Sequence, residues 1–530
     1  MSPAPSENTT AGTVHFVGAG PGDASMLTVR ATTLLADADL VIASGDVPFR
    51  PYCRDDAEIV DGEQTAGLEP AALTARLTGA ATEGRRVVRL VPGEPLLDGE
   101  AAAEVEAVRA AGVPVEIVPG VSAVTSVPTY AGIPLAGPGG VDVRVLDAAE
   151  PTVKWENAAG EGTLVIRHAL AGIGDVAKAL TGAGRPADTP VALTSQGSTT
   201  EQETVVSTLG KLTQDLKNTT LTEPALCVVG DVVADRRALS WFETKPLFGW
   251  RVLVPRTREQ AASLSERLRS YGAVPEEVPT ISVEPPRTPQ QMDRAIRGLV
   301  TGRYQWVAFT STNAVRAIRE KFEEYGLDAR AFAGVKVAAV GEQTAAALVA
   351  FGIKPDLVPP EERQSSEGLL EVFPPYDAEL DPIDRVFTPR ADIATDTLIA
   401  GLQDTGWEVD DIMAYRTVRA APPPEPVREA IKGGGFDAVL FTSSSTVRNL
   451  VGIAGKPHKV TVIACIGPAT AKTAEEFGLR VDVQSPKASV LALAEELARY
   501  GSERRQRMLD AGDAFRKPSQ MRRGARRKKV

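Results

Sequence analysis

The sequence predicts an α/β protein of several lobes, on three observations. Short apolar, strand-like runs alternate with helical periodicity almost throughout, which is the pattern of α/β architecture. The first of these runs, VHFVG, enters a glycine turn, GAGPGD (Gly18 to Asp23). After residue 250, three blocks recur in the same order. VLVPRTREQAASLSERLRSYGAVPEEVP (252–279) resembles VFTPRADIATDTLIAGLQDTGWEVDDIM (386–413), and YQWVAFTSTNAVRAI (304–318) resembles FDAVLFTSSSTVRNL (436–450). VKVAAVGEQTAAALVAFGI (335–353) resembles TVIACIGPATAKTAEEFGL (461–479). Chance produces one such match between apolar strands, hardly three in order, so the second half reads as a duplicated α/β unit of roughly 130 residues.

Taken in order, the His15–Val17 run is a strand, and a helix from about Met26 to Ala36 leads to a second strand, LVIA. VVRLV (87–91), a helix over 99–111, and VEIV before Pro119-Gly120 continue the alternation. TLVIR (163–167), PVALT (190–194) and ALCVVG (225–230) add three strands. RRALSWFETKPLFGW (236–250) reads as a connector whose two tryptophans pack on a neighbour. In the duplicated half, the loops FTSTNAV, FTSSSTV, AVGEQTA and CIGPATA open four helices. They offer hydroxyls and backbone N–H groups, which suits carboxylates or phosphates. One hydroxyl caps each helix; the surplus in TSTN and TSSST is available to a ligand.

Length and composition narrow the function. At about 100–200 residues per domain, 530 residues make two to four domains, and 43% hydrophobic with 24% charged residues is ordinary for a globular chain. No run approaches the roughly 20 apolar residues of a membrane span. MSPAPSENTT has neither a basic nor an apolar signal region. Three cysteines and three histidines, all dispersed, predict neither a disulfide framework nor a metal centre, and a cytoplasmic setting. The net charge of −11 combines +8 over residues 503–530 with −19 elsewhere. Nucleic acid is therefore not an expected partner of the body, and the basic terminus reads as a solvated tail. GAGPGD lacks the third glycine of a dinucleotide fingerprint, since Asp23 stands there, so a nicotinamide cofactor is not expected.

Residues 14–234 resemble the uroporphyrinogen-III C-methyltransferases of the tetrapyrrole methylase family. The motifs are VGAGPGD, VVRLVPGEP (87–95), VEIVPGVSAVTSVPTYAGIPL (115–135) and ADTPVALTSQGSTTEQ (187–202) before VVGDVV. The resemblance implies a two-lobed domain, 13–236, that binds S-adenosylmethionine between its lobes. The cofactor contacts would be Pro21, Gly93, Glu94, Leu97, Ser122, Ala123 and Gly197, and the family implies a homodimer through this domain. The chain departs from the pattern at Pro92-Gly93-Glu94-Pro95 and at Ala136-Gly137-Pro138 after GIPL. It also has Ser44 in place of the presumed acid/base aspartate, Asp46 two residues on, and His168 in place of a methionine. Two readings of this half follow: a methyltransferase, or a non-catalytic S-adenosylmethionine- or tetrapyrrole-binding module.

Residues 249–500 resemble uroporphyrinogen-III synthase, on LVPRT, FTSTNAV, AAVGEQTA, AYRTV (414–418), FTSSSTV and CIGPATA. The resemblance implies a domain 250–500 with one lobe of about 251–279 plus 420–500, another of about 284–415, and crossovers near 280–286 and 416–424. Residues 237–249 are then a linker, 1–12 a disordered N-terminus and 503–530 the basic tail. The implied reaction cyclises hydroxymethylbilane to uroporphyrinogen III, with loss of water and inversion of the last ring, and requires no cofactor. Tyr415 is the candidate to assist hydroxyl departure and Thr470 the next. Ser311, Asn313, Thr442, Ser443 and Ser444 are candidate substrate contacts. Arg256 and Arg390, equivalent in the repeat, hold carboxylates or brace strand ends. If both halves act, the first methylates the second's product to precorrin-2, the precursor of cobalamin and sirohaem.

Overall fold

The computed structural model describes residues 12–45, 48–65, 67–97, 101–137, 140, 142–219, 221–256, 258–392, 396–513 and 515–522. Residues 1–11 of the N-terminal stretch, Asp46, Pro138 and residues 523–530 of the basic tail lie outside them. One compact unit runs up to Trp250 and takes in Leu268–Val274 and Ala498–Asp513; the other takes Arg251–Arg267 and Pro275–Leu497.

The first unit holds β1 (Val14–Gly18), β2 (Leu40–Ala43), β3 (Glu58–Val60), β4 (Val87–Val91) and β5 (Val115–Val118), in the order β3-β2-β4-β1-β5. Every pairing is parallel. A parallel sheet is covered on both faces, which is why these strands read as continuous apolar runs. Val14 and Phe16 pack with Ile42 and Leu77 on one side, and Val17 packs with Leu35, Val41 and Leu90 on the other. The helix after β1 is Val29–Asp37, starting later than the apolar periodicity implies, because Thr28 Oγ1 accepts the Ala31 N–H at 3.1 Å and caps it there.

A second sheet contains β6 (Val143–Asp147), β7 (Thr163–Arg167), β8 (Pro190–Ser195), β9 (Glu203–Thr208) and β10 (Ala225–Val229), in the order β6-β7-β10-β8-β9. β10 runs antiparallel to both β7 and β8, so β7 and β8 end at the same edge. Residues 237–249 are fastened to this unit. Tyr130 meets the rings of Trp241 and Phe242 at 5.0 and 4.6 Å, and Glu243 accepts from Gln202, Thr204 and Arg236.

The remaining strands are β11 (Arg251–Val254), β12 (Val274–Glu277), β13 (Ile281–Glu284), β14 (Trp306–Phe309), β15 (Lys336–Ala339), β16 (Arg385–Ala391), β17 (Glu408–Arg419), β18 (Ala438–Phe441), β19 (Val462–Cys465) and β20 (Val481–Gln484). They form the sheets β12-β11-β18-β19-β20 and β13-β17-β16-β14-β15. The duplication shows in these orders: β12-β11-β18-β19 matches β17-β16-β14-β15, with the opening strands of the first repeat completed by the closing strands of the second. The chain passes between the sheets along β13 and β17, which pair antiparallel from Ile281↔Arg419 to Glu284↔Arg416. The stretch read as a tail from 503 is helical at first: the helix Val490–Asp510 continues through it, supported by an Arg499–Glu503 pair one turn apart.

Candidate functional site

Tyr415 lies in β17 at an irregularity. Arg390 of β16 faces Met413, but Ala391 faces Tyr415, so β17 carries one extra residue there. Such a bulge turns a side chain away from the regular alternation. The Tyr415 ring is buried at 6% exposure, and its Oη lies 2.9 Å from Ser311 Oγ. Ser311 ends the loop after β14 and caps the helix Thr312–Tyr325, accepting the Ala314 N–H at 3.2 Å. Asn313 stands in the first turn of that helix and, with Tyr415, Pro285, Met292, Arg316 and Lys321, lines a cavity of about 280 Å³. Ser311, Asn313 and Tyr415 are thus brought together. Arg316 and Lys321 were not anticipated, although their spacing from Asn313 along one helix face makes them readable from the sequence.

Thr442, Ser443, Ser444 and Thr470 lie on the other sheet, at the ends of β18 and β19. Ser443 is used in a reciprocal cap with Thr446 and meets Ser445 Oγ at 2.8 Å. Ser444 donates to the Ala469 carbonyl at 3.1 Å and accepts from Thr473 at 2.9 Å. The hydroxyls of Thr442 and Thr470 form no hydrogen bond among the described residues, although Thr470 is only 4% exposed. Arg390 grips Asp411 with two bonds of 2.5 Å and reaches Asp396 at 3.0 Å. Arg256, its repeat equivalent, is half-buried, and burial lowers its pKa from the usual arginine value.

In the first unit, six of the predicted cofactor residues follow the C-terminal ends of β1, β4 and β5, and Gly197 follows β8. Pro21 sits between Gly20 (φ +75°) and Gly22 (φ +147°). Gly20 and Gly93 exchange backbone hydrogen bonds of 2.9 and 3.3 Å. A Cβ on Gly120 would stand 2.1 Å from the Gly93 carbonyl oxygen and 2.7 Å from Gly18 Cα, so these three loops pack backbone against backbone. Ser122 caps the helix Ala123–Ala131, and Glu94 accepts the Leu96 N–H at 2.8 Å. Gly197 lies against Val127 of that helix, and its carbonyl is 3.7 Å from where a Gly22 Cβ would be. Arg167 at the end of β7 donates to the Leu97 carbonyl at 2.6 Å, tying the second sheet to the loop after β4. The loops carrying Pro21, Gly93 and Gly197 thus approach one another through glycine backbone.

His168 stands just past the end of β7. Its side chain is 54% exposed, its φ is +49°, and Nδ1 lies 2.8 Å from Asp147, because Asp147 and Arg167 are direct register partners. Ser44 donates its backbone N–H to the Leu90 carbonyl at 2.9 Å. A larger hollow of about 860 Å³ lies at the opposite edge of the second sheet, yet its Arg185 is spent on the carbonyls of Ala158, Gly160 and Gly162. Among the described residues, no group of histidine, cysteine and carboxylate side chains could hold a metal ion, and no helix is long and apolar enough to cross a membrane.

Two family models match this chain. Residues 13–213 match the family model of tetrapyrrole (corrin/porphyrin) methylases, and residues 262–495 match that of uroporphyrinogen-III synthase HemD. The chain is thus similar to tetrapyrrole methylases over its first half and to uroporphyrinogen-III synthase over its second. The porphyrin biosynthesis protein HemD of Ruminiclostridium josui is 28% identical over 505 residues, 92% of this chain and 98% of its own length. The sirohaem synthases of Acinetobacter baylyi and Azotobacter vinelandii are 36% and 38% identical, over 43% and 44% of this chain. This chain covers about half the length of each, 53% and 52%. Uroporphyrin-III-C-methyltransferase from Thermus thermophilus is 29% identical over 44% of this chain and 98% of its own, with a TM-score of 0.38. The Tyr415 cavity lies in the stretch matched by the uroporphyrinogen-III synthase model and the glycine loops in the stretch matched by the methylase model.

Proposed function

We propose that the synthase half converts hydroxymethylbilane to uroporphyrinogen III. The observation that carries this reading is the 2.9 Å contact of Tyr415 Oη with Ser311 Oγ on the wall of a cavity. In the proposed reaction the hydroxymethyl C–O bond breaks, and the departing hydroxide takes a proton from Tyr415 and leaves as water. The resulting electrophilic carbon bonds to the substituted α-carbon of the last pyrrole, giving a spiro intermediate. That ring then detaches, inverts and recloses, and a final proton loss restores the aromatic pyrrole. Departure from a pyrrolic carbinol is assisted by the ring nitrogen, so one well-placed proton donor and control of conformation suffice. Ser311 orients the phenol and passes it a proton. Asn313, Thr442 and Thr470 keep donors available for the substrate's carboxylates.

The methylase half, in the same proposal, takes S-adenosylmethionine and methylates uroporphyrinogen III at two positions. The fit is chemical: loops that meet through glycine backbone with positive-φ turns admit a cofactor that needs close backbone approach. Gly93, Glu94, Ser122, Ala123, Gly197, Pro21 and Leu97 would hold it, and the cofactor supplies the methyl group. The similarity of this half to sirohaem synthases supports the reading.

The test supplies purified full-length chain with enzymatically generated hydroxymethylbilane, with and without S-adenosylmethionine, and separates products by chromatography and mass. Type III isomer without added mass supports the synthase alone, and product heavier by two methyl groups supports both halves. Type I isomer alone, the spontaneous product, overturns the synthase reading.

A further inference from the structure

The two repeats place an arginine after Pro255 and after Pro389, and the structure treats these two residues differently. Arg390 is saturated by Asp411 and Asp396. In the first repeat, Glu277 stands where Asp411 does, and it is occupied elsewhere, accepting the hydroxyl of fully buried Ser265 at 2.7 Å. Ala262 stands at the position of Asp396 and brings no carboxylate. Arg256 is left half-buried, with no side-chain hydrogen bond or ion pair among the described residues. Burial alone perturbs its pKa, downward, so no carboxylate among these residues compensates the lost water.

We propose that Arg256 is the guanidinium that receives a carboxylate of the tetrapyrrole substrate, while Arg390 is a structural brace. The placement fits. β11 and β18 run parallel with Val252↔Ala438 and Leu253↔Val439, so Arg256 and Thr442, each just past the end of its strand, leave the sheet at the same edge, and the Thr442 hydroxyl is also unspent among the described residues. Both stand at the C-terminal edge of a parallel sheet, where ligands of α/β folds bind. A guanidinium matches a carboxylate with two parallel N–H···O bonds, and a cation already stripped of part of its water gains most from a charged acceptor. The desolvation cost that Arg390 offsets within the chain is offset at Arg256 by the ligand. The inference rests on the synthase reading for the identity of that ligand.

The experiment compares wild type, Arg256→Gln and Arg256→Lys in the full-length chain. It measures KM and kcat with hydroxymethylbilane and, independently of activity, the Kd of uroporphyrin III by fluorescence titration at several salt concentrations. Removing a charged hydrogen-bonding partner is expected to raise KM and Kd about 10- to 100-fold for Arg256→Gln, with kcat changed far less. The fall of binding with salt should flatten in the same variant. Arg256→Lys keeps the charge without the fork and should bind several-fold more weakly than wild type. If a folded Arg256→Gln chain keeps both its KM for hydroxymethylbilane and its Kd for uroporphyrin III within twofold of wild type, the proposal is wrong. If that variant does not fold, an Arg256→Lys chain with wild-type Kd and KM overturns it equally. A wild type that makes only the type I isomer would defeat the synthase reading, and the uroporphyrin titration would still judge Arg256.

Discussion

Replacing Tyr415 by Phe removes one oxygen and almost nothing else. The ring is 6% exposed and Phe fills the same volume, so the packing around β17 is kept. The hydroxyl makes one hydrogen bond, to Ser311, whose loss costs about 1 kcal/mol of stability. In a domain of about 250 residues that lowers the thermal midpoint by about 2–4 °C. Positioned proton donors contribute about 10²- to 10⁴-fold to rate. Because the departing hydroxyl is already activated by its pyrrole, the lower end applies: kcat should fall about 100-fold, or about 2.7 kcal/mol of barrier, with KM little changed. The assay follows hydroxymethylbilane consumption and resolves the oxidised isomers by chromatography. As catalysis slows, spontaneous closure competes and the type I share should rise. Ser311→Ala supplies the contrast, because it loses a helix cap of about 1 kcal/mol together with the Tyr415 contact. It should therefore be the less stable variant but the more active one. A Tyr415→Phe enzyme within twofold of wild-type kcat, giving only type III product, would refute the catalytic role.

Three further outcomes are expected. Gly120→Ala puts a methyl group 2.1 Å from the Gly93 carbonyl oxygen, backbone against backbone, so calorimetry should show S-adenosylmethionine affinity falling more than tenfold; affinity at the wild-type level would remove these loops as the cofactor site. The Arg86 guanidinium and backbone N–H, with Arg54, hold the Asp39 carboxyl well below the usual carboxylate range. A depressed folded-state pKa contributes stability above the unfolded value of about 3.9 and loses it as pH falls through and below that value. Asp39→Asn should thus destabilise at pH 7 by about 1 kcal/mol after allowance for solvent screening, with the gap to wild type narrowing below about pH 4; a gap independent of pH would contradict the ion-pair account. Burial pushes the Cys227 and Cys465 thiols up to about 12, whereas Cys53 is only half-buried. A disulfide reagent at pH 8 should label one thiol in the native chain, Cys53, and three after unfolding; two or more fast native thiols would contradict this packing.

The fold class was legible because parallel strands buried on both faces leave an unbroken apolar signal, as in VVRLV of β4, and because three blocks repeat in order. The close approach of the glycine loops was legible for a related reason: Gly18 and Gly120 stand where no side chain fits, and glycine is conspicuous in a sequence. Fine boundaries were less so. The helix after β1 starts at Val29 rather than Met26 because of a single Thr28 hydrogen bond, and the last helix continues to Asp510 through residues whose charge reads as a solvated tail.

The candidate site was half legible, and the missing half has one cause. A serine at a strand-to-helix junction announces a hydroxyl at a helix start, and Ser311, Ser443 and Ser444 are all there. What a sequence does not display is which of those hydroxyls is already spent, since that depends on partners distant in the chain: Tyr415 for Ser311, and Ala469 and Thr473 for Ser444. Arg256 and Arg390 make the point most sharply. They occupy the same position in two copies of one repeat, and no local pattern separates them. The separation comes from Ala262 against Asp396, and from Glu277 turning to Ser265 where Asp411 turns to arginine. Duplication gave this fold two equivalent cations at two strand ends. Neutralising one inside the chain makes it a brace, and leaving the other without a counterion among the described residues makes it the point at which, on the proposal above, an acidic substrate is held.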